Sequence, residues 1–158
     1  MRADPSHAAA RQALVVILLD RNRRPEAQDV LREGLSVSRE NVSWAMLLAR
    51  LQVEANDVPA ALSTLEASLA YGRNEPDYLG VMATLMQMQG RHADAVGYYQ
   101  AATRLSPEAG RWLIGLGLSL EELQRPVEAK DAYVRARDTG KLAREHQALV
   151  DQKLRQLR

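Results

Sequence analysis

Glycines, histidines, paired acids and a cluster of arginines are the residues of this chain that could do chemistry, and their spacing decides whether they do. Gly115–Leu116–Gly117 supplies two glycines of a dinucleotide-binding loop, but the third is missing and no strand pattern precedes it. Close helix packing accounts for the pair instead. His7, His92 and His146 stand far apart without metal-ligand spacing and read as surface residues. Glu121–Glu122 and Asp20 have the types of a general acid and base, yet solvated helix ends explain them without a cleft. Asn41–Val42–Ser43 matches the glycosylation sequon, a short pattern that recurs by chance. Arg21, Arg23 and Arg24 form a small basic loop with no aromatic neighbours on which bases could stack. No residue set supports catalysis, so the sequence predicts a protein that is not an enzyme, with no cofactor and no metal site.

The elements that carry these residues repeat. Glu75–Pro107 reads as two short amphipathic helices joined by Gln89–Gly90–Arg91. Leu79, Met82, Ala83, Leu85 and Met86 recur at helical spacing in the first, and Ala95, Tyr99 and Ala102 share one face of the second. Moving along the chain by one repeat length, in either direction, finds the same pattern. Ala95 aligns with Ala27, Ala61 and Ala129; Tyr99 with Leu31, Leu65 and Tyr133; Ala102 with Gly34, Ser68 and Ala136; Met82 with Leu14, Leu48 and Leu116. Equal spacing of four copies identifies a helical repeat array. The small residues of the second helices let paired helices approach closely, and Gly117 serves a similar contact in the column of Ala49 and Ala83.

The expected order is a leader over 1–7, four repeats over 8–41, 42–75, 76–109 and 110–141, and a capping helix over 142–158. Helices are expected near 6–20, 25–37, 42–55, 58–71, 75–89, 92–105, 109–123 and 126–137. Asp4 or Ser6 could cap the first, and Pro25, Pro59 and Pro126 sit in first turns, where a missing N–H costs little. In the last helix Leu142, Leu149, Val150, Leu154 and Leu157 can share a face, with Arg144, Glu145, Asp151, Lys153 and Arg155 outside it. Such a helix would cover the apolar end of the array.

Charge is nearly balanced at +1, which argues against nucleic acid or anionic lipid as a partner. Cysteine is absent, so disulfides and thiolate metal sites are excluded. No apolar run is long enough to span a membrane and no secretory signal precedes Ala13–Leu19.

The evenly spaced columns, with small residues at fixed sites and Tyr or Leu between them, resemble the tetratricopeptide repeat over about residues 8–141. Trp44, Tyr78 and Trp112 stand one residue before the usual aromatic site, and Pro107 alone keeps the closing proline. The resemblance implies an all-α fold, a right-handed α-superhelix of four such helix pairs plus a C-terminal capping helix, and a partner lying on the concave side. Carried over onto this sequence, the concave positions are Val16, Leu19 and Asp20; Met46, Arg50, Val53 and Glu54; Val81, Thr84 and Met88; and Ile114, Leu118 and Glu122. Gly80 and Gly115 would leave room there for an incoming backbone. The Lys and Asn set by which some relatives clamp a terminal carboxylate is missing from these positions. The implied ligand is therefore a protein or peptide with an apolar or amphipathic segment, with Arg50 as the charged contact and Met46 and Met88 as adaptable ones.

Asp77–Leu79, Gln89–His92, Ala95–Val96, Tyr99, Gly110–Leu113, Gly115–Gly117, Leu120–Glu121, Arg125–Pro126 and Glu128–Ala129, followed by the Leu-rich last helix, form a narrower set. It is similar to the C-terminal repeat region of the mannose-sensitive haemagglutinin type IV pilus biogenesis proteins of bacteria. That resemblance implies an upstream inner-membrane anchor, periplasmic repeats and pilus assembly components as partners, this chain being an excised region. The expected function is a non-catalytic scaffold in pilus biogenesis or secretion. The alternatives are a self-associating structural protein whose apolar stripe forms a homodimer, and a cytoplasmic chaperone-like adaptor.

Overall fold

A computed structural model describes residues 5–157, among which there are nine α-helices and no strand. They are α1 (Pro5–Asp20), α2 (Arg24–Val37), α3 (Val42–Glu54), α4 (Val58–Gly72), α5 (Pro76–Met88), α6 (His92–Leu105), α7 (Gly110–Glu122), α8 (Pro126–Asp138) and α9 (Arg144–Gln156). Asp4, one of the two expected caps, lies outside the described residues. Because α1 begins at Pro5, Ser6 falls within the helix and cannot be its N-cap, and the helix takes in part of the expected leader.

Local chemistry sets the boundaries. Asn41 Oδ1 accepts from the Trp44 amide at 3.1 Å and caps α3, so the sequon asparagine is a helix cap. Asp57 Oδ1 accepts from the Ala60 amide at 3.0 Å and does the same for α4. Pro25, Pro76 and Pro126 occupy the first turns of α2, α5 and α8. Each first helix of a pair ends in the same turn. Arg23, Asp57, Arg91 and Arg125 donate their amides to the carbonyls of Leu18, Gln52, Met86 and Leu120, five residues back. The residue before each donor is left-handed: Asn22 (φ 58°), Asn56 (65°), Gly90 (72°) and Gln124 (57°). Asparagine and glycine tolerate this conformation, whereas a glutamine is held there against its preference.

The chain divides into two compact units, one running to Gly72 and one beginning at Arg73. In the first, α1 packs on α2, α2 on α3 and α3 on α4. Its core gathers Val15, Leu18, Ala27, Leu31, Trp44, Leu48 and Leu51. Leu48 is buried, but Leu14, its counterpart one repeat earlier, is 44% exposed, and Ile17 beside it is 48% exposed. No described helix precedes α1 to cover them.

In the second unit α5 packs on α6, α6 on α7, α7 on α8, and α9 on α8 and α7. Tyr78, Met82, Tyr99, Leu113, Tyr133 and Val150 are sealed within it. The bounds of α9 are those of α7 moved by one repeat length at both ends. Val150 is buried, as Leu116 and Met82 are in its column. The last helix therefore takes the place of a fifth first helix.

Glycines mark where large side chains cross. A Cβ on Gly80 would lie 2.3 Å from the Trp112 ring, one on Gly115 2.4 Å from Tyr99, and one on Gly117 2.6 Å from Tyr133. Gly117 thus makes the close contact expected of it. Gly80 and Gly115 do not leave room for a ligand backbone: both are buried, and the space each provides is filled by an aromatic ring of a neighbouring helix.

Two opposite effects follow in urea unfolding. Gly80→Ala forces a Cβ into the indole and should destabilise the chain by about 1–3 kcal/mol. Gln124→Gly relieves the left-handed backbone and should raise stability by about 0.5–1 kcal/mol. A lower midpoint for the second variant would show that the turn does not strain its glutamine.

Candidate functional site

The positions carried over from the sequence fall on the first helices of the pairs. In the first unit Val16, Asp20, Arg50 and Glu54 are exposed, and Leu19, Met46 and Val53 are half-buried. Arg50 is not free, since its Nε lies 3.7 Å from Glu54, and Glu54 also meets Arg24 at 3.3 Å. Two of the three arginines of the basic loop are paired as well. Arg23 pairs with Glu26, and Arg24 reaches both Glu54 and the Asn22 side chain. What remains is a mixed surface of Val16, Leu19, Met46 and Val53 edged by paired charges.

In the second unit Met88 is 56% exposed, Glu122 is exposed, and Val81 and Leu118 are half-buried. Ile114 is 5% exposed and cannot meet a partner. It stands in α7 one turn before Leu118 but faces the packed side. Thr84 is half-buried and its hydroxyl is committed, lying 2.9 Å from the Gly80 carbonyl and donating to the Tyr99 hydroxyl at 3.0 Å.

That threonine opens a polar chain that sequence reading missed. Tyr99 donates to Gln87 Oε1 at 3.0 Å, and Gln87 Nε2 donates to Ser119 Oγ at 3.0 Å and the Gly115 carbonyl at 3.3 Å. Three helices, α5, α6 and α7, are tied together by it. One repeat later the same columns hold Tyr133, Glu121 and Lys153. Tyr133 donates to Glu121 Oε1, and Lys153 Nζ lies 3.0 Å from Glu121 Oε2. Glu121 is therefore a half-buried structural acceptor and not a solvated helix end. Lys153, expected on the outer face of the last helix, turns inward for the same reason. The signal was in the columns: Glu121 stands one repeat length after Gln87, and Lys153 one repeat length after Ser119.

Aromatic nitrogens differ between the units. Trp44 Nε1 donates to Gln12 Oε1 at 2.6 Å. Trp112 shares the column of Trp44, and Gly80 shares that of Gln12, so the Trp112 Nε1 is enclosed without a partner. His92 is half-buried with an enclosed, unpartnered Nδ1 and is not the plain surface residue expected. Among the described residues no group of three or more His, Asp or Glu could hold a metal ion, and no helix is long and apolar enough to cross a membrane.

Burial pushes the phenols of Tyr78, Tyr99 and Tyr133 above the ordinary tyrosine value. For Tyr133 the hydrogen bond to the Glu121 carboxylate and its negative charge push the same way; for Tyr99 the bond with Thr84 opposes burial. All three phenols are sealed in the core.

Antiparallel helix pairs at a fixed period, with small residues facing large ones, define a helical-repeat protein. The chain belongs to the tetratricopeptide repeat family: two models described as tetratricopeptide repeat match residues 25–85 and 83–143. Solved structures share the fold. YrrB, described as a TPR protein with an unusual peptide-binding site, superposes with a TM-score of 0.78 at 17% identity, over 94% of this chain and 76% of that one. The pilF protein of Pseudomonas aeruginosa gives 0.75 at 21% identity, over 96% and 69%. MamA 41-end from Desulfovibrio magneticus RS-1 gives 0.77 at 13% identity, over 95% and 92%. Comparison with curated sequences found no match.

Raised phenol values have a pH signature. The unfolded chain gives up tyrosine protons at about pH 10, while the folded chain keeps them, so unfolding there releases protons. The contribution is whole below the unfolded value and is lost as pH climbs above it. The urea midpoint should fall as pH rises from about 9 to 11, and Tyr78→Phe/Tyr99→Phe/Tyr133→Phe should flatten the fall. An equally steep fall in the triple variant would assign the effect to other groups.

Proposed function

We propose that the chain is a non-catalytic interaction scaffold. It binds a protein or peptide segment with an apolar or amphipathic face on the open residues of its first helices. The observation that carries this reading is Met88, 56% exposed on α5, the helix that also carries half-buried Val81, with half-buried Leu118 on the adjoining α7. A flexible thioether among aliphatic side chains adapts to varied apolar surfaces. Met46 with Val53 and Leu19 supplies a similar surface in the first unit, where the Arg50–Glu54 pair adds charge. The described peptide-binding site of YrrB, on the same fold, favours a peptide ligand here too.

The finer reading is a part in bacterial type IV pilus biogenesis, with the repeats in the periplasm and pilus assembly components as partners. It rests on the residue set from Asp77 to Ala129 described above. A second reading, self-association, is favoured by Leu14, Val16 and Ile17, which stand 44–48% exposed together on α1.

Selection from a displayed peptide library should return segments with apolar residues at regular spacing. Met46→Glu/Met88→Glu/Leu118→Glu should weaken their binding at least about tenfold while leaving the helical circular-dichroism signal intact. Equal binding by the triple variant would remove the first helices as the site. Light-scattering mass separates the second reading: a dimer lost in Leu14→Glu/Ile17→Glu would put self-association first.

A further inference from the structure

We propose that the groove between α8 and α9 is a second docking site, which takes an acidic segment of a partner protein that carries an apolar side chain. The groove has a volume of about 340 Å³ and is lined by Lys130, Val134 and Arg137 of α8 and Asp151, Leu154 and Arg155 of α9. Val134 and Leu154 are half-buried and form an apolar floor, large enough for one or two aliphatic or aromatic side chains.

Charge selects the rest of the ligand. Lys130, Arg137 and Arg155 are exposed around the floor. Arg137 has Asp138 at 3.2 Å, and Asp151 already accepts from Gln147 at 3.2 Å. Lys130 and Arg155 have no acidic partner among the described residues. Arg23, Arg32, Arg91 and Arg125, in contrast, each meet an acid three residues away. The imbalance is regional. Residues 125–158 hold nine Lys and Arg against five Asp and Glu, whereas residues 1–124 hold twelve against fifteen.

Division of labour follows from exposure. Rim charges in water contribute mainly to encounter rate and salt dependence, whereas an apolar anchor between Val134 and Leu154 slows release. A bare polyanion lacks the anchor, and the Asp151 carboxylate in the groove repels closely spaced phosphates. Both features favour a protein segment with separated carboxylates over a nucleic acid.

The site is tested by fluorescence anisotropy on the full chain with short labelled peptides. An amphipathic peptide alternating Leu and Glu should bind, and binding should weaken as salt rises toward physiological strength. Lys130→Glu/Arg155→Glu should lose at least about tenfold in affinity while its thermal unfolding stays close to wild type, because both side chains are exposed. The charge reversal should abolish the salt-dependent binding equally in a chain that also carries Met88→Glu/Leu118→Glu, which separates the groove from the surface on the first helices. No binding by wild type, equal binding by the charge-reversed variant, or equal binding of polyglutamate or single-stranded DNA would overturn the proposal. So would a concentration-dependent mass abolished by the charge reversal, which would make the occupant a second copy.

Discussion

Everything in this fold depends on one steric exchange, in which a large side chain of one helix fills the space that a small residue leaves on another. Tyr133 lies over Gly117, Tyr99 over Gly115, Trp112 over Gly80 and Trp44 over Gly34. A glycine inside a helix costs about 0.5–1 kcal/mol relative to alanine. Burying an aromatic ring or a leucine returns about 1.5–3 kcal/mol, so the exchange favours the folded chain wherever the ring is sealed. The rings are sealed: Tyr99 and Tyr133 are at most 2% exposed. Ala27, Ala61, Ala95 and Ala129, all at 0%, perform the milder form of the same exchange within each helix pair.

Choosing a tyrosine for that role brings a second requirement. A phenol sealed in the core needs an acceptor, and an acceptor amid apolar neighbours needs its own partners. The columns change together for this reason. The first repeat has Leu19 and Leu31 where the third has Gln87 and Tyr99 and the fourth has Glu121 and Tyr133. Gln87 passes the bond on to Ser119, and Glu121 passes it on to Lys153. Trp112 is the exception that shows the cost of breaking such a set. Gly80, in the column of Gln12, leaves room for the indole but offers no side-chain acceptor of the kind Trp44 has.

Much of the fold was legible because two signals repeat with the same period. Apolar residues place each helix, and Asn22, Asn56 and Gly90 mark the left-handed turns between the members of a pair. Gln124 carries no such mark; its turn is imposed by the Arg125 amide bonding back to Leu120. The surface was less legible. Column position puts Arg50, Met88 and Glu122 in the open, but Ile114, in the same column as the half-buried Met46, is buried. A repeat pattern states which direction a side chain leaves its helix, not how far its neighbours reach over it. Gly80 and Gly115 were misread on the same ground, since the absence of a side chain does not say which ring occupies the space. The pairing of Arg24 within the basic loop was not legible because Glu54, which meets it, is distant in sequence.

The register of α9 explains its oddest residue. One repeat length past Ser119, Lys153 takes over a place where a small hydroxyl was fully buried. Ser119 lies among packed helices, where a charge would be costly. Lys153 and Glu121 stand instead with side chains 22% and 24% exposed, within reach of water. There the lysine stem can cover apolar surface while its ammonium stays hydrated and reaches Glu121, so neither charge bears the full cost of burial. The change from Gln87–Ser119 to Glu121–Lys153 thus follows exposure: the same columns are used, and a neutral pair becomes an ionic one where solvent permits it. The last helix is a modified member of the repeat, docked through the columns that join the others.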